Sequence, residues 1–255
     1  MPTTEATLYA VENESAWITL NRPENRNALS QILVTELHGH LGAAIADPNV
    51  RCIVITGNGP AFCAGADLKN RNPGENSGPA FPDVLKLIIE SPKPVIAAIN
   101  GAAFAGGLGI VGACDIAIAV AEAKFSFSEV RIGVIPAIIA VVCVPKLGRH
   151  NAMKLFVSGE QFTGAQAVGL GLVHRAVARE QLRAAVQEES DMIRLGAPKA
   201  VAECKKLVRR AAEPRPLDEA FREMAEWSRQ MFTSADGQEG MAAFREKRKP
   251  HWVKN

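Results

Sequence analysis

Two glycine-bearing loops and one glutamate carry the residue types from which an active site can be built. The first loop is Ala61-Phe62-Cys63-Ala64-Gly65-Ala66-Asp67-Leu68-Lys69. The second is Asn100-Gly101-Ala102-Ala103-Phe104-Ala105-Gly106-Gly107-Leu108-Gly109. Each follows an apolar run and precedes a helical pattern. Small residues let a ligand approach the backbone closely, and a helix N-terminus presents unpaired N–H groups to an anion. Two such loops side by side aim two amides at one oxygen, which makes an oxyanion hole from backbone alone. Each loop taken singly reads equally well as tight strand–helix packing. The second lacks the spacing of the dinucleotide fingerprint, and no Gly-Lys-Ser/Thr follows it as in a phosphate-binding P-loop. The acid comes from Lys124-Phe125-Ser126-Phe127-Ser128-Glu129-Val130-Arg131-Ile132-Gly133-Val134-Ile135-Pro136, where Glu129 stands among apolar residues. Desolvation there raises a carboxyl pKa toward working pH, as general acid–base chemistry requires. The alternative for Glu129 is a surface pair with Arg131 or Lys124.

The elements that must hold these groups alternate strand and helix over the first two-thirds of the chain. Residues 16–20, 52–56, 94–99 and 116–120 are apolar runs that fit strands covered on both faces, as in a parallel sheet. Ser30 is placed to cap a helix carrying Ile32, Leu33, Leu37, Leu41 and Ile45, which ends at Asp47-Pro48-Asn49. Residues 70–82, rich in Pro and Gly, read as a mobile loop, with a helix after them to about Glu90. Repeated strand–helix units give an α/β class. From Arg179 onward the pattern is helical and charged, with amphipathic stretches at 180–195, 198–212 and 217–232. The division is a core over 1–195 and a helical C-terminal region over 196–255. The basic end, 244–255, reads either as a solvated tail or as a contact for a phosphate-bearing ligand. No internal repeat shows in the sequence.

Composition narrows the function. The 255 residues are 47% apolar and 22% charged, as in a soluble globular protein. The net charge of +2 and 5% aromatics argue against nucleic-acid binding. Residues 94–114 carry no charge and reach the length of a membrane span, but Asn100 and five glycines read instead as strand, glycine turn and helix start. The N-terminus lacks a basic start and an apolar h-region, so a cytoplasmic protein is expected. The five cysteines (52, 63, 114, 143, 204) have no metal-site spacing and read as buried, reduced thiols. No metal ligand set is expected.

Taken together and in order, several motifs resemble the crotonase (enoyl-CoA hydratase/isomerase) superfamily. They are Asn21-Arg22-Pro23-Glu24 with Asn27-Ala28-Leu29, Phe62-Cys63-Ala64-Gly65-Ala66-Asp67-Leu68, and Pro92-Lys93-Pro94-Val95-Ile96-Ala97-Ala98-Ile99-Asn100-Gly101. Cys114-Asp115-Ile116, Phe125, Glu129, Gly133, Ile135-Pro136 and residues 164–173 complete the set. The resemblance spans nearly the whole chain. It implies a ββα spiral core and a helical C-terminal region that builds trimers, often paired into hexamers. It also implies an acyl-CoA thioester as substrate, with no metal or redox cofactor. By position, the amides of Ala66 and Gly106 match the family's oxyanion hole, and Glu129 matches one of its catalytic glutamates. Arg26, Ala28, Ala64, Asp67, Leu68, Lys69, Gly107 and Pro136 match positions lining the CoA and substrate site. Lys247 is a weaker match, to the CoA phosphates.

The resemblance also has departures. Members that hydrate enoyl-CoA typically carry two glutamates, and the first of them would fall at Gly109. A single base suffices for an isomerase that moves a proton from C2 to C4. Yet Ser128-Glu129-Val130-Arg131-Ile132-Gly133-Val134-Ile135-Pro136-Ala137 is similar to a branch that hydrates branched or carboxylated enoyl-CoAs, such as methylglutaconyl-CoA. The expected activity is therefore an enoyl-CoA hydratase with Glu129 as acid and base. The alternatives are a Δ3-Δ2-enoyl-CoA isomerase, another crotonase reaction such as decarboxylation, and an acyl-CoA binder without turnover. Ile138, Ile139 and Val142 read as an apolar wall of the site or as core.

Overall fold

The computed structural model describes residues 5–68 and 78–254. The expected strands over 16–20, 52–56, 94–99 and 116–120 form the centre of one six-stranded sheet. Its strands are β1 (Thr7–Glu12), β2 (Ser15–Leu20), β3 (Cys52–Gly57), β5 (Val95–Ile99), β7 (Ile116–Val120) and β10 (Arg175–Val177), in the order β1-β2-β3-β5-β7-β10. β1 and β2 pair antiparallel and the rest pair parallel. Ile53, Val54, Ile55 and Val95–Ile99 are buried, as strands covered on both faces must be.

A second, smaller sheet had no sequence signature. Its strands are β4 (Ala61–Cys63), β6 (Ala102–Phe104), β8 (Lys124–Ser126) and β9 (Gln161–Thr163), in that order. β4, β6 and β8 run parallel, and β9 closes the edge antiparallel. Between the strands lie α1 (Gln31–Ala46), α2 (Phe81–Glu90), α3 (Gly106–Ala113), α4 (Ala137–Ser158) and α5 (Gly164–Gly169). Three times in succession a strand of the large sheet is followed by a strand of the small sheet and a helix: β3-β4-α2, β5-β6-α3 and β7-β8-α4. This is the ββα spiral, a structural repeat without a sequence repeat.

Local chemistry accounts for the element ends. Ser30 Oγ accepts the Leu33 N–H (3.3 Å), so α1 starts where expected. Lys93 Nζ donates to the carbonyls of Ala44 (2.7 Å) and Asp47 and closes the end of α1. α4 holds Pro145 and breaks at Gly148, which has φ 69° and ψ 160°. Of the five thiols, Cys52, Cys63, Cys114 and Cys143 are buried, but Cys204 is exposed on a helix face, against expectation.

The C-terminal stretches form α6 (Leu182–Leu195), α7 (Pro198–Ala211), α8 (Leu217–Thr233) and α9 (Ala235–Glu246). α9 was not anticipated. The basic end beyond it is not a solvated tail. Trp252 Nε1 donates to the Leu195 carbonyl (3.1 Å), Arg51 donates to the Trp252 carbonyl (3.3 Å), and Lys254 pairs with Glu14 (2.6 Å). α7 is bolted to the core by Lys205, whose side chain is only 7% exposed. Its Nζ pairs with Asp115 (2.7 Å) and donates to the carbonyls of Ile88 (2.9 Å) and Lys93 (3.2 Å). Lys205→Met removes the ion pair and both carbonyl contacts while Asp115 keeps the Val95 N–H (2.7 Å), so it is expected to cost about 1–3 kcal/mol. The check is the shift in urea unfolding midpoint. Among the described residues, no helix is long and apolar enough to cross a membrane.

Candidate functional site

The small sheet brings the three sequence candidates to one edge. β4, β6 and β8 are neighbouring parallel strands, so their carboxyl ends face the same way. β4 runs into Ala64-Gly65-Ala66, β6 into Ala105-Gly106 and β8 into Phe127-Ser128-Glu129. Ligands of parallel sheets bind outside such carboxyl ends.

The Ala66 amide is aimed by its neighbours. Residues 26–29 run alongside 64–67: the Ala64 N–H donates to Arg26 O (3.0 Å), Leu29 N–H to Gly65 O (2.7 Å) and Asp67 N–H to Leu29 O (3.4 Å). Leu29 and Ala66 form a parallel bridge. In that pattern the N–H of Ala66 itself points away from Leu29, to the side where the second loop lies. Gly65 has φ +89°, and a Cβ placed on it would stand 3.3 Å from the Gly106 nitrogen. The two loops therefore meet at Gly65 and Gly106.

The Gly106 amide opens α3. Ala105 precedes it at φ 48°, ψ −118°, a left-handed conformation rare for alanine. The Ala105 N–H donates to Ser126 O (3.0 Å), while its carbonyl accepts from Leu108 (2.9 Å) and Gly109 (3.3 Å). The amides of Gly106 and Gly107 come before the first bond of the helix and remain as donors. Gly107 lies against the Cys63 carbonyl, 2.4 Å from where its Cβ would be, so the two loops pack without side chains between them. Cys63 at the loop root is no nucleophile: burial pushes its thiol up to about 12.

Glu129 sits in a short 3-10 turn, Ser128–Ile132, ended by Gly133 in a left-handed conformation. Only burial and its own backbone hydrogen bond act on its carboxyl, with neither Arg131 nor Lys124 paired to it, so the surface alternative is overturned. Its Oε2 is buried and without a hydrogen-bond partner. Burial raises the pKa of the carboxyl, and a hydrogen bond from its own main-chain N–H partly offsets that. Two backbone N–H donors can hold a developing oxyanion, and an unsatisfied carboxyl oxygen delivered to the same strand ends can move a proton.

Gly109 has a packing reason. A Cβ there would meet Ile139 Cγ2 at 2.4 Å, and one at Gly112 would meet Cys143 Sγ at 2.8 Å. Gly109 and Gly112 are one helical turn apart on α3, and Ile139 and Cys143 one turn apart on α4, so the helices cross with a ridge of one in a glycine groove of the other. Ile139 and Val142 are buried in that crossing, whereas Ile138 is exposed. Gly109→Glu alone is expected to force α3 and α4 apart and cost about 1–3 kcal/mol. Thermal melting checks this, and Ile139→Ala added to it is expected to recover part of the loss.

The other candidates divide. Arg26, Ala28, Ala64, Asp67 and Leu68 cluster on the first loop and its rail, with Asp67 buried and Leu68 exposed. Pro136 is buried at the start of α4. Lys247 caps α9 in a left-handed conformation and is exposed. Lys69 and residues 70–77 of the expected mobile loop lie outside the described residues. Ala105 was missed as a site-shaping residue, since an alanine at positive φ leaves no mark in a sequence, and Ile139, read as site wall or core, packs on Gly109.

Comparison with known proteins agrees with this fold. The family model described as Enoyl-CoA hydratase/isomerase matches residues 11–255. Enoyl-CoA hydratase EchA19 of Mycobacterium tuberculosis is 35% identical over 244 residues, 92% of this chain and 91% of that protein. The 1,2-epoxyphenylacetyl-CoA isomerase of Escherichia coli is 32% identical over 260 residues, 98% of each. Among solved structures, Pseudomonas aeruginosa AtuE superimposes with a TM-score of 0.90 at 34% identity, covering 98% of this chain and all of that one (100%). The relatives thus include both a hydratase and an isomerase. The chain belongs to the enoyl-CoA hydratase/isomerase family, the crotonase superfamily.

Proposed function

We propose that the protein is an enoyl-CoA hydratase with one catalytic carboxylate. The observation that carries the reading is the delivery of two amides and the unpartnered Glu129 oxygen by β4, β6 and β8 to one edge. The thioester oxygen of a 2-enoyl-CoA sits between the N–H groups of Ala66 and Gly106. Glu129, as carboxylate, takes a proton from water as the water oxygen bonds to C3. Charge moves onto the thioester oxygen, giving an enolate that the two amides hold. Glu129, now a carboxylic acid, returns the proton to C2. A raised pKa suits both halves of that cycle. No metal or redox group takes part. By the resemblance, Arg26, Ala28, Ala64, Asp67, Leu68, Gly107 and Pro136 line the CoA and acyl site, and Lys247 reaches the phosphates.

The packing of Ile139 against Gly109 favours one other reading. With no side chain at 109 and an apolar residue filling its place, Glu129 works without a second carboxylate to orient water. A base of that kind serves a Δ3-Δ2-enoyl-CoA isomerase, taking a proton from C2 and returning it to C4. Matched 2-enoyl- and 3-enoyl-CoA thioesters, followed by mass, decide between them. A gain of one water on the 2-enoyl substrate supports the hydratase. A shifted double bond on the 3-enoyl substrate at constant mass supports the isomerase.

Assembly as a homotrimer or a dimer of trimers belongs to the same proposal. Phe221, Phe232 and Phe244 are exposed on α8 and α9, as expected of a surface that meets a partner.

A further inference from the structure

We infer that Asn27 is a positioning residue for the oxyanion hole, and that its buried side-chain clamp fixes the direction of the Ala66 N–H. The inference rests on the function proposed above and concerns a residue with no part in the chemistry.

Asn27 is fully buried, with an exposure of 0%. Its Oδ1 accepts the Arg22 N–H (2.8 Å), and its Nδ2 donates to the carbonyls of Asn58 (3.0 Å) and Ala61 (2.9 Å). One side chain thus ties three segments: the turn before α1, the turn after β3 and the first residue of β4. To reach all three the backbone takes two left-handed residues in a row, Arg26 at φ 56° and Asn27 at φ 55°. Arginine in that region carries a steric cost, so the clamp must hold the turn in place.

The consequence lies three to five residues further along β4 and within two residues of Asn27 itself. Ala61 begins β4, which leads straight into Ala64-Gly65-Ala66. On the other side, Arg26 and Leu29 flank the clamp and hold Ala64, Gly65 and Asp67 by the three main-chain bonds described above. The clamp sets the start of both strands of this short ladder, and the ladder sets which way the Ala66 amide faces. Glu129 leaves a different strand, β8, and has no bond to Asn27. The clamp therefore acts on the oxyanion donor and leaves the acid–base group untouched.

Two variants test this. Asn27→Asp keeps the shape but sets oxygens against the two carbonyls. Asn27→Gly keeps the left-handed turn and loses the clamp. The control is Lys93→Met, whose lost cap lies at the far end of β5. Three quantities are read: kcat and KM, the pH–rate profile, and the infrared stretch of a 13C-labelled thioester carbonyl bound to the protein. Both Asn27 variants are expected to lower kcat about 100-fold, as a misplacement near 1 Å does, with KM changed by less than about threefold. The acid limb of the profile stays where Glu129 puts it. The bound carbonyl stretch moves back toward its value in water. Lys93→Met does none of these.

Wild-type kcat and an unchanged carbonyl stretch in the Asn27 variants would overturn the inference. So would a fall in kcat matched by Lys93→Met, or failure of both variants to fold, since either leaves Asn27 only a structural role. If the wild-type protein itself leaves the carbonyl stretch unshifted on binding, the proposed oxyanion hole fails, whatever Asn27 does.

Discussion

Glu129→Gln is expected to cut turnover by about 10³-fold, within the range that general acid–base catalysis contributes, while acyl-CoA still binds. The amide keeps the size of the side chain but can neither take nor return a proton. The same substitution is expected to stabilise the fold at neutral pH. Burial raises the Glu129 pKa above its ordinary value of 4.5, so the folded chain holds this proton more tightly than the unfolded chain. Its contribution to stability is full at low pH and is lost as pH rises through the raised native value. At neutral pH the ionised carboxyl, with Oε2 unpartnered, costs stability that glutamine does not. The melting temperature of Glu129→Gln should exceed that of the wild type at neutral pH, and the gap should close below 4.5. A stabilising change that abolishes activity is the usual mark of a group held in an unfavourable place for function. In the wild type, the rate should rise with pH through a pKa above 4.5, because the first step needs the carboxylate.

Gly65→Ala is expected to lower kcat by about 10²- to 10³-fold, the loss of one oxyanion donor. The added Cβ would lie 2.9 Å from Ala105 Cβ, 3.0 Å from Phe104 O and 3.3 Å from Gly106 N. Two of those three atoms are backbone, so the second loop must move. The residue also sits at φ +89°, where an L side chain adds a further cost of about 1–2 kcal/mol. Gly39→Ala supplies the contrast. Gly39 is exposed in mid-α1 with nothing within 4 Å of its Cβ, so alanine there is expected to stabilise by about 0.5–1 kcal/mol with kcat unchanged. Steady-state kinetics and melting curves on both variants separate the site from the scaffold.

The strands of the large sheet were legible because they are runs of β-branched and apolar residues, and α1 because Ser30 and a 3.6-residue period mark it. The small sheet was not, although it carries the site. β4, β6 and β8 have three residues each, too few to show a period, and they are drawn from Ala, Phe, Cys, Lys and Ser. The sequence placed Ala66 and Gly106 on loops that close on a ligand and Glu129 in an apolar setting. What it lacked was the parallel pairing that makes them neighbours. α4 was hidden by Pro145 and Gly148, and with it the reason for Gly109: the glycine makes room for Ile139 in a helix crossing that only three dimensions show. The docking of the basic end was not legible because Trp252 and Arg51, which hold it, are 201 residues apart.

The most direct test of the proposed account is turnover of a 2-enoyl-CoA in D2O, with the deuterium in the product located by NMR and the rate compared with that of Glu129→Gln. A carboxyl held on one side of the substrate delivers its proton to one face of C2. Deuterium is expected on a single face of C2 with the wild-type protein, and deuteration about a thousandfold slower with Glu129→Gln. Equal rates in the two proteins, or deuterium on both faces of C2 with the wild type, would contradict it.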